Sequence, residues 1–501
     1  MDLQTLLLVI GSVAIVLTLI VGLIMKGHKS WLMTFLQNFC GVFYIFSGWV
    51  KAVDPMGMGF KIADYFTAFE SVFTGTWFDF LAPLFPFLSQ YQVGISMFVI
   101  IFEIVLGVML LLGHRPKLLS WMFLILLLFF TVLTGFTFMT GYVPPDVNFF
   151  QFGQWGEFKE TNQQVTDCGC FGDFIKLKPK VSFFKDLALM VPALYFIFKH
   201  KDMHQIFSKG MRDVIVIASI IGLFVYCISN FVWDIPHADF RPFKVGTDVK
   251  TQKNIEMQAA ADVDIIGWEF TNSNTKEVVS VMNPDYMAIY KDYPKADGWV
   301  VDQIKSKPTL EPTKISDFEF VSTDGYDKTE ELLNDPNASV MIVSYKVYGD
   351  GSEEKQGTFM DTIGIRYDTI QVLDSPNRGG EQRIVMNYDT IIQKTYTYTD
   401  YKWEQDWADR YSNVVKPFTD KAKANGLNVF GIIGGVGESQ INDLREELDL
   451  GFDIYTADDI LLKTIVRSNP GFVLWKDGKI LGKWHYKKLP DFDEVKTNLL
   501  N

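Results

Sequence analysis

Between Gln92 and Leu112 the chain reads QVGISMFVIIFEIVLGVMLLL, an apolar run that carries one charge, at Glu103. The hydrocarbon core of a bilayer is about 30 Å thick, and about 20 residues of apolar helix are needed to cross it. Five further stretches approach this length and character: Leu3 to Met25, Phe35 to Val53, Leu118 to Gly141, Val181 to Phe198 and Val214 to Trp233. The sequence therefore predicts an α-helical membrane bundle of about six transmembrane helices within residues 1–233.

The positions of lysine and arginine indicate how these helices are oriented, because cationic loops are retained in the cytoplasm. Cations collect after the first, third and fifth spans, as Lys29, Arg115 and Lys201 illustrate. The N-terminus and everything after Trp233 are then predicted on the outer side, which is the periplasm if the membrane is a bacterial inner membrane. The first span begins with Asp2 and no basic cluster, so we expect a retained helix and not a cleaved signal peptide.

The two parts of the chain differ in charge. Residues 1–233 contain 15 Lys and Arg against 14 Asp and Glu, whereas the remaining 268 residues contain 31 against 45, a net charge of −14. An acidic outer part would repel nucleic-acid phosphates, so nucleic acid is excluded as a partner. All four cysteines lie in the first part, at Cys40, Cys168, Cys170 and Cys227, and the outer part therefore contains no disulfide.

A cysteine motif precedes the fifth span on the predicted outer side. It reads Asp167-Cys168-Gly169-Cys170-Phe171-Gly172-Asp173. Two cysteines separated by one glycine reach disulfide distance in a tight ring, and strained, exposed disulfides are the oxidising ones. Three lysines follow, at positions 176, 178 and 180, and we expect them to favour the thiolate. Thiol–disulfide exchange, a structural disulfide and a metal site all stay open as interpretations.

The other two cysteines are weaker candidates. Cys227 lies six residues from the outer end of the last span, about 9 Å deep at 1.5 Å per residue. It is placed to resolve a mixed disulfide with the cysteine motif, or it serves as a small apolar residue. Cys40 lies near the inner end of the second span and is interpreted as a packing residue.

Glu103 stands near the middle of its span, where a charge must be neutralised, paired or turned toward a cavity. It is therefore a functional candidate. The next span carries Thr131, Thr134, Thr137 and Thr140 at intervals of three. This polar stripe is predicted to meet Glu103 or the head group of a quinone, with Thr131 and Thr134 as the binding residues. The alternative is that its hydroxyls join helices to one another.

Residues 30–200 resemble a family of membrane proteins. The matching features are Ser47-Gly48-Trp49-Val50-Lys51-Ala52-Val53-Asp54-Pro55, Glu103 with Gly107, the turn at Leu110 to Gly113, and Cys168-Gly169-Cys170-Phe171-Gly172. They are similar to the DoxX and MauE proteins, four-helix modules associated with redox systems. The resemblance implies quinone-linked sulfur chemistry for DoxX and maturation of a disulfide-rich periplasmic protein for MauE. This chain departs from them by its first and last spans and its large outer part.

The outer part divides in two by its sequence pattern. Residues 234–313 contain short alternating runs such as Val263 to Phe270 and Glu277 to Met282, which predict a β-rich linker domain. From Ile315 onward apolar runs and helical patterns alternate, which predicts an α/β domain over residues 314–501. Val340 to Val347 is its expected central strand, and an insertion covers about 349–405.

This last domain resembles the thioredoxin and peroxiredoxin fold. The resemblance rests on Ile315-Ser316-Asp317-Phe318, the strand at Val340, and Asn469-Pro470-Gly471 before a final hairpin. It implies that Pro470 is cis and that the backbone around it binds an extended peptide. The position expected to hold the CxxC motif reads Tyr348-Gly349-Asp350-Gly351 and contains no cysteine. A thioredoxin-like domain of this kind would not exchange disulfides itself, and its role would be recognition of a partner by the loop at Pro470 or support alone.

Together these features predict an inner-membrane, redox-associated protein with thiol–disulfide exchange at the periplasmic face. Cys168, Cys170 and Glu103 are the predicted catalytic residues, a quinone is the cofactor class considered, and Asn469, Pro470 and Gly471 are predicted to bind the partner. The partners expected are lipid, periplasmic or exported proteins and subunits of a membrane complex. The rival hypothesis is a non-enzymatic, membrane-anchored assembly or chaperone component.

Overall fold

The computed structural model describes residues 2–165, 169–275, 277–306, 308–372 and 381–500. Eight helices make up most of the first 233 residues. They are α1 (Leu3–Leu19), α2 (Trp31–Val53), α3 (Pro55–Phe73), α4 (Leu84–Ser89), α5 (Gln92–Leu112), α6 (Pro116–Thr140), α7 (Pro179–Lys199) and α8 (Lys209–Ile228). Helices α1 and α8 continue as single π-helical turns to Ile24 and Trp233.

Among the described residues, five helical segments are long and apolar enough to cross a membrane. They are Leu3–Ile24, Gln92–Leu112, Pro116–Thr140, Pro179–Asp202 and Lys209–Trp233. Large apolar side chains remain exposed on them, for instance Leu8 at 72% and Val191 at 70%. Such surfaces are stable when lipid covers them. The chain is therefore a membrane protein with a helical membrane part, as the sequence predicts.

Helix α2 corresponds to the remaining predicted span, Phe35 to Val53, which is not among these five. Its 23 residues would extend about 34 Å at 1.5 Å per residue, which is long enough for the bilayer. It is less apolar than the other five because it carries buried polar side chains, including Gln37, Asn38, Ser47 and Lys51. The crossing by α2, and with it the total of six spans, stays a prediction.

The ends of these helices follow from local sequence. Asp2 accepts a hydrogen bond from the Thr5 N–H at 2.8 Å, and Ser30 accepts one from the Met33 N–H, so each caps the helix that follows. Helix α5 ends at Gly113, which has a φ of 64°. A Cβ atom there would lie 1.7 Å from the carbonyl oxygen of His204, so only glycine fits.

The segment that follows the membrane helices contains two helices and a small sheet. Helix α9 (Val249–Ala261) precedes strands β1 (Ile265–Asn272), β2 (Val278–Met282) and β3 (Trp299–Lys305), and helix α10 (Asn283–Ile289) lies between β2 and β3. The strands form an antiparallel sheet in the order β2-β1-β3. Strand β2 lies within the predicted run Glu277 to Met282, and β1 overlaps the predicted run Val263 to Phe270 but extends to Asn272.

A second sheet is built from five strands in the order β10-β9-β4-β7-β8. They are β4 (Ala338–Ser344), β7 (Asn428–Ile433), β8 (Asp453–Thr456), β9 (Gly471–Lys476) and β10 (Lys479–His485). Strands β4, β7 and β8 pair in parallel. The helices of this region are α11 (Thr329–Leu333), α12 (Gln405–Arg410), α13 (Lys416–Ala424), α14 (Glu438–Glu447), α15 (Asp459–Ile465) and α16 (Phe492–Val495). The chain thus contains an α/β region, as predicted.

The insertion predicted over about 349–405 forms a two-stranded antiparallel ribbon. Its strands are β5 (Gly349–Val372) and β6 (Glu381–Trp403), and they pair from Gly349 with Trp403 to Val372 with Glu381, with register shifts next to Gly351 and Gly364. At its base the Trp403 indole N–H donates to the Asp443 carboxylate at 2.9 Å. The ribbon is therefore attached to α14.

The chain divides into two compact units that differ from the domains predicted by sequence pattern. The first unit comprises Met1–Ser316, Lys463–Phe472 and Ile480–Leu489, and the second comprises Asp317–Leu462, Val473–Lys479 and Pro490–Asn501. Two short segments near the C-terminus therefore belong to the same unit as the membrane helices. One of them carries Asn469, Pro470 and Gly471.

A buried ion cluster secures the second of these segments within the first unit. The Lys483 ammonium donates to Asp239 at 2.7 Å and to the Phe243 carbonyl oxygen at 2.6 Å, and Arg241 pairs with the same carboxylate at 2.7 Å. The cationic side chains are 1% and 2% exposed. Burial raises the pKa of Asp239, but Arg241 and Lys483 outweigh this effect and lower it to about 2.

We expect Asp239→Asn to reduce the free energy of unfolding by about 3 kcal/mol, because it leaves two buried cations without their carboxylate. The ordinary pKa of Asp239, 3.8, exceeds its folded value of about 2, so its contribution is complete above pH 4 and is lost as the pH falls toward 2. Unfolding of the purified protein in detergent, followed between pH 2 and 7, measures both effects.

The matched control is Asp302→Asn, since Asp302 pairs with Lys159 at 3.6 Å with both side chains half exposed. It should change the free energy of unfolding by no more than about 0.5 kcal/mol. Equal losses in the two variants would contradict the assignment.

Candidate functional site

Helices α2 and α5 approach closely because glycines line their contact. A Cβ atom at Gly107 would lie 2.8 Å from the Gly41 carbonyl oxygen, and one at Gly48 would lie 2.4 Å from the Ile104 side chain. Small residues of this kind let transmembrane helices pack backbone to backbone. The close contact brings Lys51, three residues after Gly48 on α2, near Glu103, four residues before Gly107 on α5.

Lys51 of α2 and Glu103 of α5 meet as a buried ion pair. The Lys51 Nζ and Glu103 Oε2 atoms are 2.5 Å apart, and each side chain is 2% exposed. The Lys51 ammonium also lies 5.1 Å from the centre of the Phe130 ring. Glu103 is thus paired, which is one of the three states expected for a charge inside the membrane. Its partner is a lysine and not the predicted threonine stripe.

A second buried pair lies on α7, where Lys185 donates to its neighbour Asp186. Asp186 also accepts a hydrogen bond from the Thr134 hydroxyl of α6 at 2.9 Å. Thr131 bonds instead to the Leu127 carbonyl oxygen of its own helix at 2.7 Å. The stripe therefore joins α6 to α7 at Thr134, as the alternative interpretation holds, while Thr131 makes a local bond.

One cavity connects the two ion pairs to the cysteine loop. Its polar lining comprises Lys51, Glu103, Lys185, Asp186, Thr134 and Cys170, and its aromatic lining comprises Phe43, Tyr44, Tyr65, Phe129 and Phe130. Three of the predicted site residues, Glu103, Thr134 and Cys170, thus share one cavity. Thr131 is not part of its lining. The space open to the centres of water molecules is about 30 Å³, which is enough for one or two waters.

The cysteine loop is shaped by its glycines. Gly169 and Gly172 have φ angles of 59° and 51°, a conformation in which other residues are strained. Between them Phe171 is fully buried and contacts Phe43 edge to face, with ring centres 5.6 Å apart. The Ser47 hydroxyl donates to the Cys170 carbonyl oxygen at 2.9 Å. The loop is therefore held against α2 on both sides of Cys170.

Cys170 carries a free thiol, and burial raises its pKa, while the nearby Lys185 ammonium opposes that shift. Desolvation disfavours the charged form more strongly, so the thiol is favoured over the thiolate at Cys170, and the effect expected from the lysines at 176, 178 and 180 stays a prediction. Cys168 lies outside the described residues.

The other cysteines are packed in apolar surroundings. Cys227 is fully buried in a cluster with Ala52, Met58 and Ile100, and Cys40 is fully buried in the main core of the membrane helices. Both carry free thiols. This environment agrees with the interpretation of Cys40 and Cys227 as small apolar residues.

The predicted partner-binding residues Asn469, Pro470 and Gly471 are all buried. The peptide bond between Asn469 and Pro470 is cis, as the thioredoxin resemblance implies. A Cβ atom at Gly471 would lie 2.4 Å from the Val466 side chain, so the position requires glycine. These three residues are therefore not presented at the surface.

Sequence reasoning missed Lys51, Lys185 and Asp186 as site residues. Lys51 lies in the stretch that resembles the DoxX and MauE proteins, and Lys185 and Asp186 lie near the start of the predicted span Val181 to Phe198. The usable signal was the same one that identified Glu103, a charge within or beside an apolar helix. Among the described residues, no group of three or more His, Cys, Asp or Glu side chains is placed to hold a metal ion.

No protein-family model, curated protein or solved structure matches this chain.

Removing either partner of the Lys51–Glu103 pair should leave an uncompensated charge in the bundle. We expect Lys51→Met and Glu103→Gln each to cost about 3 to 5 kcal/mol of stability. The double variant should cost at least 2 kcal/mol less than the sum, because it removes both charges. Unfolding of the four proteins in detergent gives the coupling directly.

The exposed pair Lys178–Glu160, at 2.8 Å with both side chains about two-thirds exposed, supplies the control cycle. Lys178→Met and Glu160→Gln should show a coupling below about 1 kcal/mol. A Lys51–Glu103 coupling no larger than that of the control would rule out a buried pair.

Proposed function

We propose that this protein exchanges disulfides with an exported protein at the periplasmic face of a bacterial inner membrane, using Cys168 and Cys170. The observation that carries the proposal is the position of Cys170 at a cavity that also holds two buried ion pairs. Charges inside a membrane bundle are costly and are typically kept for function. A structural disulfide alone would give no reason for these charges to be there.

The proposed exchange balances without a further reactant. A thiolate of the partner attacks the Cys168–Cys170 disulfide, which gives a mixed disulfide and one free cysteine. A second partner thiolate attacks the mixed disulfide, so the partner gains a disulfide and both cysteines leave as thiols. The partner loses two electrons, the cysteine pair gains two, and the reverse sequence reduces a partner disulfide.

Buried carboxylates supply the proton chemistry of this exchange. Burial raises the pKa of Cys170, so its thiol must lose a proton before it can attack a disulfide. Asp186 and Glu103 line the same cavity as Cys170, and a carboxylate is a group able to accept that proton. Lys185 then stabilises the thiolate by its charge.

A quinone does not fit the cavity in this structure. Its open space of about 30 Å³ holds one or two waters, whereas sites for small organic ligands are typically several hundred Å³. We therefore assign no step to a quinone. In the proposal Glu103 is the ion partner of Lys51 and a candidate proton acceptor, Thr134 is a helix contact, and Cys170 carries the sulfur chemistry.

The outer α/β region takes the partner-binding role in this proposal. Support for the thioredoxin resemblance comes from the strand at Val340 in the middle of the five-stranded sheet and from the hairpin that follows Pro470. The region contains no cysteine, so it cannot exchange disulfides. Its role would be to bring an exported protein to the cysteine loop.

Cys168→Ser should trap a mixed disulfide between Cys170 and the partner or abolish exchange. Cys170→Ser should trap a mixed disulfide between Cys168 and the partner or abolish exchange. Each variant has this effect because it removes one of the two required sulfurs. Non-reducing gels of cells expressing each variant, followed by mass spectrometry of the adduct, provide the measurement. Cys40→Ser and Cys227→Ser are the matched controls and should behave as the unaltered protein.

A double Cys168→Ser, Cys170→Ser variant that retains full biological activity would overturn disulfide exchange. It would favour the rival hypothesis, a non-enzymatic component that assembles or chaperones exported proteins.

A further inference from the structure

Arg467 lies at the meeting point of three segments that are distant in sequence. It belongs to the segment Lys463–Phe472, which the chain returns to the first compact unit. Its side chain is 4% exposed and pairs with Asp54, at the end of α2, and with Asp173, in the cysteine loop. Asp54 precedes Arg467 by 413 residues.

The contact with Asp54 has the geometry of a strong pair. The Arg467 Nε atom lies 2.8 Å from Asp54 Oδ2 and 3.1 Å from Oδ1. The same carboxylate accepts the Gly57 N–H at 3.0 Å and so caps α3. Asp54 is three residues after Lys51, which pairs with Glu103 in the cavity. Arg467 therefore holds the helix end that carries one of the cavity cations.

The contact with Asp173 reaches the cysteine loop itself. A terminal nitrogen of Arg467 lies 3.7 Å from Asp173 Oδ2, and the Asp173 side chain is 28% exposed. Asp173 follows Gly172, whose positive φ completes the turn after Cys170. One guanidinium thus draws the end of the loop toward the end of α2.

The Arg467 guanidinium makes two further contacts. Its carbon lies 5.2 Å from the centre of the Phe60 ring, and it donates to the Lys463 carbonyl oxygen of its own segment. A planar group with several donors suits this arrangement, whereas a lysine offers a single charged point. Arg467 is therefore built into the site at several of its atoms.

We propose that Arg467 is a positioning residue for the cysteine loop, one that keeps Cys170 at the cavity by binding Asp54 and Asp173 together. The inference rests on the proposed function for its significance, but the restraint itself is independent of that function. It also gives the segment around Pro470 a role other than direct contact with a partner.

The test compares the full-length protein in reduced membranes with its Arg467→Gln, Arg467→Lys and Asp173→Asn variants. The rate at which N-ethylmaleimide modifies Cys170 is measured by mass spectrometry of its peptide, with buried Cys40 and Cys227 as internal references. We expect Arg467→Gln and Asp173→Asn to raise the Cys170 rate at least tenfold. Arg467→Lys should give an intermediate rate, because it keeps the positive charge but loses the planar guanidinium that contacts both carboxylates.

A second measurement excludes a general loss of structure. The midpoint of the Cys168–Cys170 couple, measured in dithiothreitol buffers, should shift in Asp173→Asn while the rates at Cys40 and Cys227 stay within twofold. The control Asp453→Asn removes the exposed partner of Arg445 and should leave every rate unchanged.

Rates at Cys170 within twofold of the unaltered protein, in both Arg467→Gln and Asp173→Asn, would overturn the proposal. So would an equal rise at all three cysteines in Asp173→Asn, which would show that the pair supports the whole unit. If the rates change as expected but Cys168→Ser and Cys170→Ser retain full activity, the positioning role stands and disulfide exchange is refuted.

Discussion

A charge buried among membrane helices must be paired, because the energy of an isolated ion rises steeply as the surrounding dielectric falls. In this protein that constraint acts twice within the same bundle. Lys51 with Glu103 ties α2 to α5, and Asp186 with Thr134 ties α7 to α6. Four helices are thereby fixed around one small polar cavity. The packing of the apolar surfaces decides how close the helices come, and the Lys51–Glu103 and Thr134–Asp186 contacts decide which faces meet.

The same constraint explains why the cavity remains small. Aromatic rings of α2, α3 and α6 fill the space around the charged groups, and the Phe130 ring lies against the Lys51 ammonium. Rings exclude water while offering a negative face to a cation. The result is a small pocket with room for only one or two water molecules. Such a pocket suits the transfer of a proton better than the binding of an organic ligand.

Much of the membrane part could be predicted from sequence because each span is a local pattern. Apolar length alone locates α1, α5, α6, α7 and α8, and a charge within such a run identifies Glu103 as a candidate. Helix α2 shows the limit of this approach. Its polar residues lower its apolar character, yet they are buried by contact with other helices, which the sequence of α2 does not reveal.

The partners of the charged residues could not be predicted, since they are set by packing over long sequence separations. Lys51 and Glu103 are 52 residues apart, and Asp54 and Arg467 are 413 apart. The division into domains illustrates the same point. Sequence pattern places Pro470 in the outer α/β domain, whereas its segment packs within the unit of the membrane helices. A local sequence pattern indicates which fold a segment resembles, but it does not indicate which part of the chain the segment packs against.

The end of α2 connects these features, because Asp54 directly follows its last residue and lies three residues after Lys51. Lys51 reaches the cavity and Asp54 reaches Arg467. Any movement of the Arg467 segment would therefore act on the helix end that places a cavity cation, and through Asp173 on the loop that carries Cys170. The chemistry assigned to Cys170 thus depends on a residue that the chain supplies almost 300 positions later.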